Sequence, residues 1–154
     1  MTELQDGGTV TAARGVLEID VPSGATVWFK KRLEGPYVLE YTATAVSAGG
    51  PNDRVCDLNN FWNALDVRSP DDLFATPRSG ALEDHVKTYY AAYGANYNTT
   101  TRLRRYVGEA GVRPLIFDYT GQEPYTSGHF AFRTVWSHFR VSDFRVWRLR
   151  PQHP

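Results

Sequence analysis

The chain has 154 residues and a mass of 17.4 kDa, the size of one domain. Seventeen Lys and Arg balance seventeen Asp and Glu, which excludes a protein that holds nucleic acid mainly by overall charge. A single cysteine, Cys56, excludes an internal disulfide and a multi-cysteine metal knot, and no apolar run reaches the ~18 residues of a membrane-spanning helix.

The first residues, MTELQDGGTV, have neither the charged region nor the apolar stretch of an export signal. Residues 1–9 and 150–154 are expected to be loose ends. Val16 to Val21 alternates as a strand stopped by Pro22-Ser23-Gly24, and Ala25 to Phe29 reads as a second strand. After the turn at Gly35-Pro36, Tyr37 to Val46 is the clearest strand, with Leu39, Tyr41, Ala43 and Ala45 on one face. Ser47 to Asp53 is a loop, residues 58–67 are expected to hold a helical turn, and Ser69-Pro70-Asp71-Asp72 suits a helix start. Thr88 to Tyr93 and Thr100 to Tyr106 read as a strand pair, and Ile116 to Tyr119 as a short strand. The tail reads as two strands, His129 to Arg140 and Val141 to Leu149, around a kink at Ser142-Asp143. Short strands with Gly/Pro turns and almost no helix predict an all-β fold: one antiparallel two-sheet β-sandwich or jelly roll over residues 1–154.

The neutral total hides an asymmetry. Residues 1–98 carry 8 basic and 13 acidic side chains, and residues 99–154 carry 9 basic, all arginine, and 4 acidic. Codon bias toward arginine explains such a composition, and so does a surface that receives carboxylates, since the guanidinium fork pairs them bidentately.

Three clusters carry candidate chemistry. In Gly50 to Trp62, the groups Asn52, Asp53, Arg54, Asp57, Asn59 and Trp62 suit a sugar: amides and carboxylates bond hydroxyls, and an indole covers a C–H face. A loop whose Asx side chains bond their own backbone is the alternative. Asp53, Asp57 and Asn59 are also oxygen ligands of the type calcium takes, without the glycine-centred loop pattern. The second cluster holds Tyr90, Tyr93, Asn96, Arg102, Arg104 and Tyr106; in a strand the last three share one face, which suits an anionic ligand or a solvated edge. In the third, Phe130, Phe132, Thr134, Trp136 and His138 alternate against Ala131, Arg133, Val135, Ser137 and Phe139, and a buried Arg133 requires a partner. Glu18-Ile19-Asp20 matches only part of a glucanase E-x-D-x-x-E signature, and reads as a solvated face. No G-x-S-x-G, phosphate-loop or zinc motif is present.

Taken together, Gly24 to Phe29 (GATVWF), Gly35 to Tyr41, Gly49 to Trp62, Tyr89 to Tyr106 with its N-T-T-T-R-x-R-R-Y element, Pro124 to His138 and Asp143 to Val146 resemble a bacterial family. Its members are exported domains of unknown function placed with concanavalin A-like jelly rolls. The resemblance covers most of the chain and implies two curved sheets, a carbohydrate-related role on a concave face and an extracytoplasmic location; without an export signal, this chain by itself reads as cytoplasmic. Against the family pattern, Arg113-Pro114-Leu115 runs directly into Ile116 where relatives carry a further hairpin, and the first strand is not evident. A gap of that kind exposes a sheet edge and favours a monomer or a weak homo-oligomer.

The expectation is a carbohydrate-active domain for acidic or oxidised oligosaccharides, with Arg102, Arg104 and Arg133 on the anion. If it is an enzyme, it is lyase-like or cleaves keto-sugar glycosides. In β-elimination, an arginine-neutralised carboxylate acidifies the neighbouring C–H, and Tyr90, Tyr106 or His138 takes the proton. A non-catalytic carbohydrate-binding module, or a truncated structural relative, is the alternative. No cofactor is expected beyond a structural calcium, and no nucleic-acid or membrane partner.

Overall fold

A computed structural model describes residues 1–79, 84–112 and 123–150. Its strands are β1 (Thr2–Leu4), β2 (Thr9–Ala13), β3 (Val16–Trp28), β4 (Leu33–Glu34), β5 (Tyr37–Ala45), β6 (Leu58–Asp66), β7 (Val86–Gly94), β8 (Thr100–Val107) and β9 (Ser127–Arg148). All pairings are antiparallel. Two long strands build the sandwich, because β3 and β9 bend and run through both layers. The smaller layer is β2, the first half of β3, the second half of β9, and β5. The larger layer follows the order β1-β3-β9-β6-β7-β8, using the second half of β3 and the first half of β9. The bends have local causes: a bulge between Val21 and Gly24 in β3, and left-handed backbone at Trp136 (φ 44°) and Asp143 (φ 54°) in β9. Together these make a β-sandwich jelly roll.

The alternation of β5 turns Tyr37, Leu39, Tyr41 and Ala43 inward onto Ile19, Val21, Ala25, Phe130, Phe132 and Val141, the main core between the layers. The Tyr41 hydroxyl crosses from β5 to donate to Asn60 Oδ1 of β6 at 3.0 Å. A second apolar cluster lies on the outer face of the larger layer: Trp28, Phe61, Ala64, Val86, Tyr106 and Ala131, covered by Leu73 and Phe74 of the segment after β6.

Several expectations require correction. Residues 58–66 form strand β6 rather than a helical turn; both its faces are packed, Leu58 and Trp62 on one and Phe61 and Ala64 on the other, which erases the alternation. The Ser69-Pro70 segment makes successive turns, with Ser69 N–H on Asp66 O and Asp72 N–H on Ser69 O, each at 3.1 Å. Pro22-Ser23 is a bulge within β3, and the tail is one bent strand. The N-terminus is not loose: β1 pairs with β3, Trp28 N–H donates to Met1 O at 2.7 Å, and β2 begins at Thr9. The expected strand Ile116–Tyr119, the Arg113 junction and residues 151–154 lie outside the described residues.

Candidate functional site

Register brings scattered residues of the second and third clusters onto one surface. On the outer face of the larger layer, one cross-strand row reads Glu3 (β1), Thr26 (β3), Arg133 (β9), Asn59 (β6), Ala92 (β7) and Arg102 (β8). The next row reads Trp28, Ala131, Phe61, Tyr90 and Arg104, and Tyr106 follows opposite Thr88. Neighbouring positions in a row are separated by about 4.8 Å, one strand spacing. Thus Tyr90, Arg104, Tyr106, Asn59, Arg102 and Arg133 are gathered on one face.

The face grades from buried to accessible. Arg133 and Asn59 are buried at its centre, while Tyr90, Arg102 and Arg104 are partly exposed toward β8, the last of the described strands in this layer. Arg133 Nη1 lies 3.5 Å from Thr26 Oγ1. Asn59 Nδ2 donates to Asp57 O at 3.2 Å, and its buried Oδ1 has no hydrogen-bond donor among the described residues. The Tyr90 ring lies between Phe61 (centroids 5.3 Å) and Tyr106 (5.3 Å). Burial, reinforced by the neighbouring Tyr106 phenol, pushes the Tyr90 hydroxyl well above its ordinary value, against the opposing fields of Arg133 and Arg104.

The remaining candidates separate. His138 is not on this face. The left-handed residue Trp136 breaks the alternation of β9, so Phe139 and Val141 join Phe130 and Phe132 in the buried set while His138 points outward. There Nδ1 lies 2.9 Å from Asp53 Oδ1 and Nε2 2.8 Å from Glu18 Oε1. Burial would lower this imidazole, but the hydrogen bonds to Glu18 and Asp53 outweigh it and raise it above the ordinary value. Glu18 therefore does more than face solvent, since it also accepts from Arg140 Nε at 2.9 Å. Asn52 donates to Asp20 Oδ1 at 2.7 Å in the same neighbourhood. Asp53 also accepts from the backbone of Ala48 (2.7 Å) and Gly50 (3.0 Å), as the loop alternative expects.

Trp62 packs inward, tilted against Tyr89 at 5.5 Å between ring centres, and Tyr93 pairs with Leu58 on the inner face. Arg54 pairs with Asp57 and donates to Val135 O and Trp136 O. Asn96 bonds Thr99 within the β7–β8 turn. Of the calcium-type trio, Asp53 is engaged by His138 and its own loop, Asp57 by Arg54, and Asn59 lies on the arginine face. Among the described residues no group of three His, Cys, Asp or Glu is placed to hold a metal. Cys56 is buried, and burial pushes its thiol up.

Composition and periodicity gave no site role to Thr26, Phe61, Tyr97 or Trp136. The first two are on the face through strand pairing alone. The last two flank Arg54, a contact between residues distant in sequence.

A family model described as a domain of unknown function, DUF6250, matches residues 19–123. A crystal structure from Bacillus subtilis, of a protein of unknown function with a galectin-like fold, superposes with a TM-score of 0.71 at 14% identity, covering 96% of this chain and 88% of that one. No curated protein matches the sequence.

Proposed function

The chain belongs to the DUF6250 family, and for this member we propose a carbohydrate-binding role: the outer face of the larger layer receives carboxylate-bearing oligosaccharides. One observation carries the reading. Arg102 and Arg104 share a face of β8, directly across from Ala92 and Tyr90, in rows that lead to the buried Arg133 and the donor-seeking Asn59. A guanidinium on a partly exposed sheet face pairs bidentately with a carboxylate, more strongly than with a neutral hydroxyl. Tyr90 and Asn59 add hydroxyl-compatible groups, the combination expected where a few polar groups orient a sugar on an aromatic floor.

The test is calorimetry of the protein with galacturonate, mannuronate and glucuronate oligomers beside their neutral counterparts. Binding restricted to the acidic series supports the reading. Equal affinity for neutral and acidic chains overturns it.

Cleavage by β-elimination is the second reading, favoured by the two phenols next to the arginines. Tyr106 as phenolate takes the C–H proton beside the neutralised carboxylate, and Tyr90, kept protonated by burial, protonates the departing glycosidic oxygen, leaving a C=C bond at the sugar. Unsaturated-uronate absorbance that Tyr90→Phe and Tyr106→Phe each abolish, with binding retained, supports catalysis. Binding without that absorbance favours the module.

A further inference from the structure

At the end of the same sheet, two aromatic residues stand in backbone conformations that bulky side chains rarely adopt: Tyr97 at φ 57° and Trp136 at φ 44°. Both are exposed, Tyr97 at 66% and Trp136 at 41%. They flank one cation: the Arg54 guanidinium lies 5.0 Å from the Tyr97 ring centre and 5.1 Å from that of Trp136. Its Nε and Nη2 donors are directed elsewhere, to Trp136 O, Val135 O and the Asp57 carboxylate, and the pair with Asp57 neutralises its charge inside the protein. Other bonds lock the assembly. Trp136 Nε1 donates to Pro51 O at 3.0 Å, Asn98 Nδ2 to Val55 O, and Asp57 N–H to Gly94 O at 3.3 Å. Strain of this kind, held by surrounding bonds, gathers where a surface is preorganised for a ligand.

The platform is continuous with the arginine face. Val135 follows Arg133 by two residues on β9, and Asp57 precedes Asn59 by two, about 7 Å along the sheet. We infer that Tyr97 and Trp136, clamped by Arg54, form a second sugar subsite that stacks on an uncharged pyranose face of an oligosaccharide whose carboxylate sits on Arg102, Arg104 and Arg133. A neutral aromatic platform beside a cationic row divides the labour: the row selects the acid and the platform measures chain length. The inference rests on the acidic-glycan reading of that row.

The experiment compares two- and six-residue uronate oligomers, and neutral six-residue oligomers, on wild type, Tyr97→Asn and Trp136→Asn. Asparagine tolerates left-handed backbone, so these variants remove the ring while keeping the turn; Tyr97→Phe retains the ring, and a thermal melt verifies folding of each. The expected result is a two- to tenfold loss, roughly the scale of one aromatic stacking contact, for the six-residue acid alone, with Tyr97→Phe unchanged. Folded asparagine variants that bind both lengths like wild type overturn the subsite and leave the row intact. An equal loss at both lengths also overturns it, since the rings then act on the row itself. Wild-type binding only to neutral oligomers, weakened by ring removal, overturns the row and leaves the platform. No binding by wild type overturns both.

Discussion

His138 of β9 and Asp53 of the 47–57 segment are joined ring to carboxylate, Nδ1 to Oδ1 at 2.9 Å, tying that segment to a strand it does not pair with. Glu18 of β3 holds the other ring nitrogen, Arg140 holds Glu18, and Asp20 adds a further negative field. The ring works best as an imidazolium with two carboxylates.

The pH dependence follows from linkage. His138 is raised in the folded protein above its ordinary 6.5, so its contribution is fully present below 6.5 and is lost as pH rises through the raised value. Glu18 is lowered by its bonds to His138 and Arg140, and Asp53 by the Ala48 and Gly50 N–H groups and then by His138, so their share is present above their ordinary 4.5 and 3.8 and is lost as pH falls further. The window of greatest support is therefore mildly acidic. His129, lowered by burial, acts in the opposite sense, so the comparison must be differential. Thermal melts of wild type and His138→Gln should show a gap in Tm that is wide near pH 5.5 and closes toward alkaline pH. A gap independent of pH would remove the charged role.

Asp66 is a buried carboxylate at the end of β6, accepting from Arg68 Nη2 at 2.7 Å and Arg78 Nη1 at 3.0 Å. Arg78 continues to Glu3 of β1 at 2.9 Å and lies over the Trp28 ring. The network fastens the segment after β6 onto the outer face. Removing one member of a buried pair leaves the other charged and uncompensated, at a cost of about 3 kcal/mol. Asp66→Asn should lower the urea midpoint accordingly, whereas Glu34→Gln, whose partner Arg32 is 3.8 Å away and exposed, should leave it within error.

Gly128 lies where β9 passes the bulge of β6, at φ 148°. A Cβ there would come within 2.3 Å of the Asn63 carbonyl carbon and 2.6 Å of Ala64 N, both backbone atoms that no rotamer change can move. Gly128→Ala should therefore destabilise by about 3 kcal/mol or more in urea titrations. A near-neutral result would show that the two strands do not approach this closely.

The strands that could be read from sequence were those with one wet face. In β5, Leu39, Tyr41 and Ala43 alternate against exposed Val38, Glu40 and Thr42, so period 2 is visible. β6 hides the same geometry, because Phe61 packs under Leu73 on one face and Trp62 against Tyr89 on the other, with an extra residue at the Asn63 bulge. For the site, alternation sufficed to put Arg102, Arg104 and Tyr106 on one face. Bringing Arg133, Asn59 and Tyr90 beside them depends on strand order and register, which are set by contacts far apart in sequence. Alternation put His138 with Phe130 and Phe132, but left-handed Trp136 inverts the positions from there to the next left-handed residue, Asp143, and turns the ring outward on the smaller layer.

The arginine pair on β8 yields the most direct prediction about ligand binding. Each guanidinium that forms a charge-assisted hydrogen bond to a carboxylate contributes about 1.5–3 kcal/mol, roughly ten- to a hundredfold in affinity. Arg102→Ala and Arg104→Ala should each weaken binding of a uronate oligomer on that scale, measured by calorimetry at fixed ionic strength. Lysine in their place should recover part of the loss, because it restores the charge without the planar fork. Arg140→Ala is the matched control: it too removes an exposed arginine from a sheet surface, but one bonded to Glu18 on the smaller layer. If Arg140→Ala weakened binding as much as Arg104→Ala, general charge rather than the outer-face rows would be responsible.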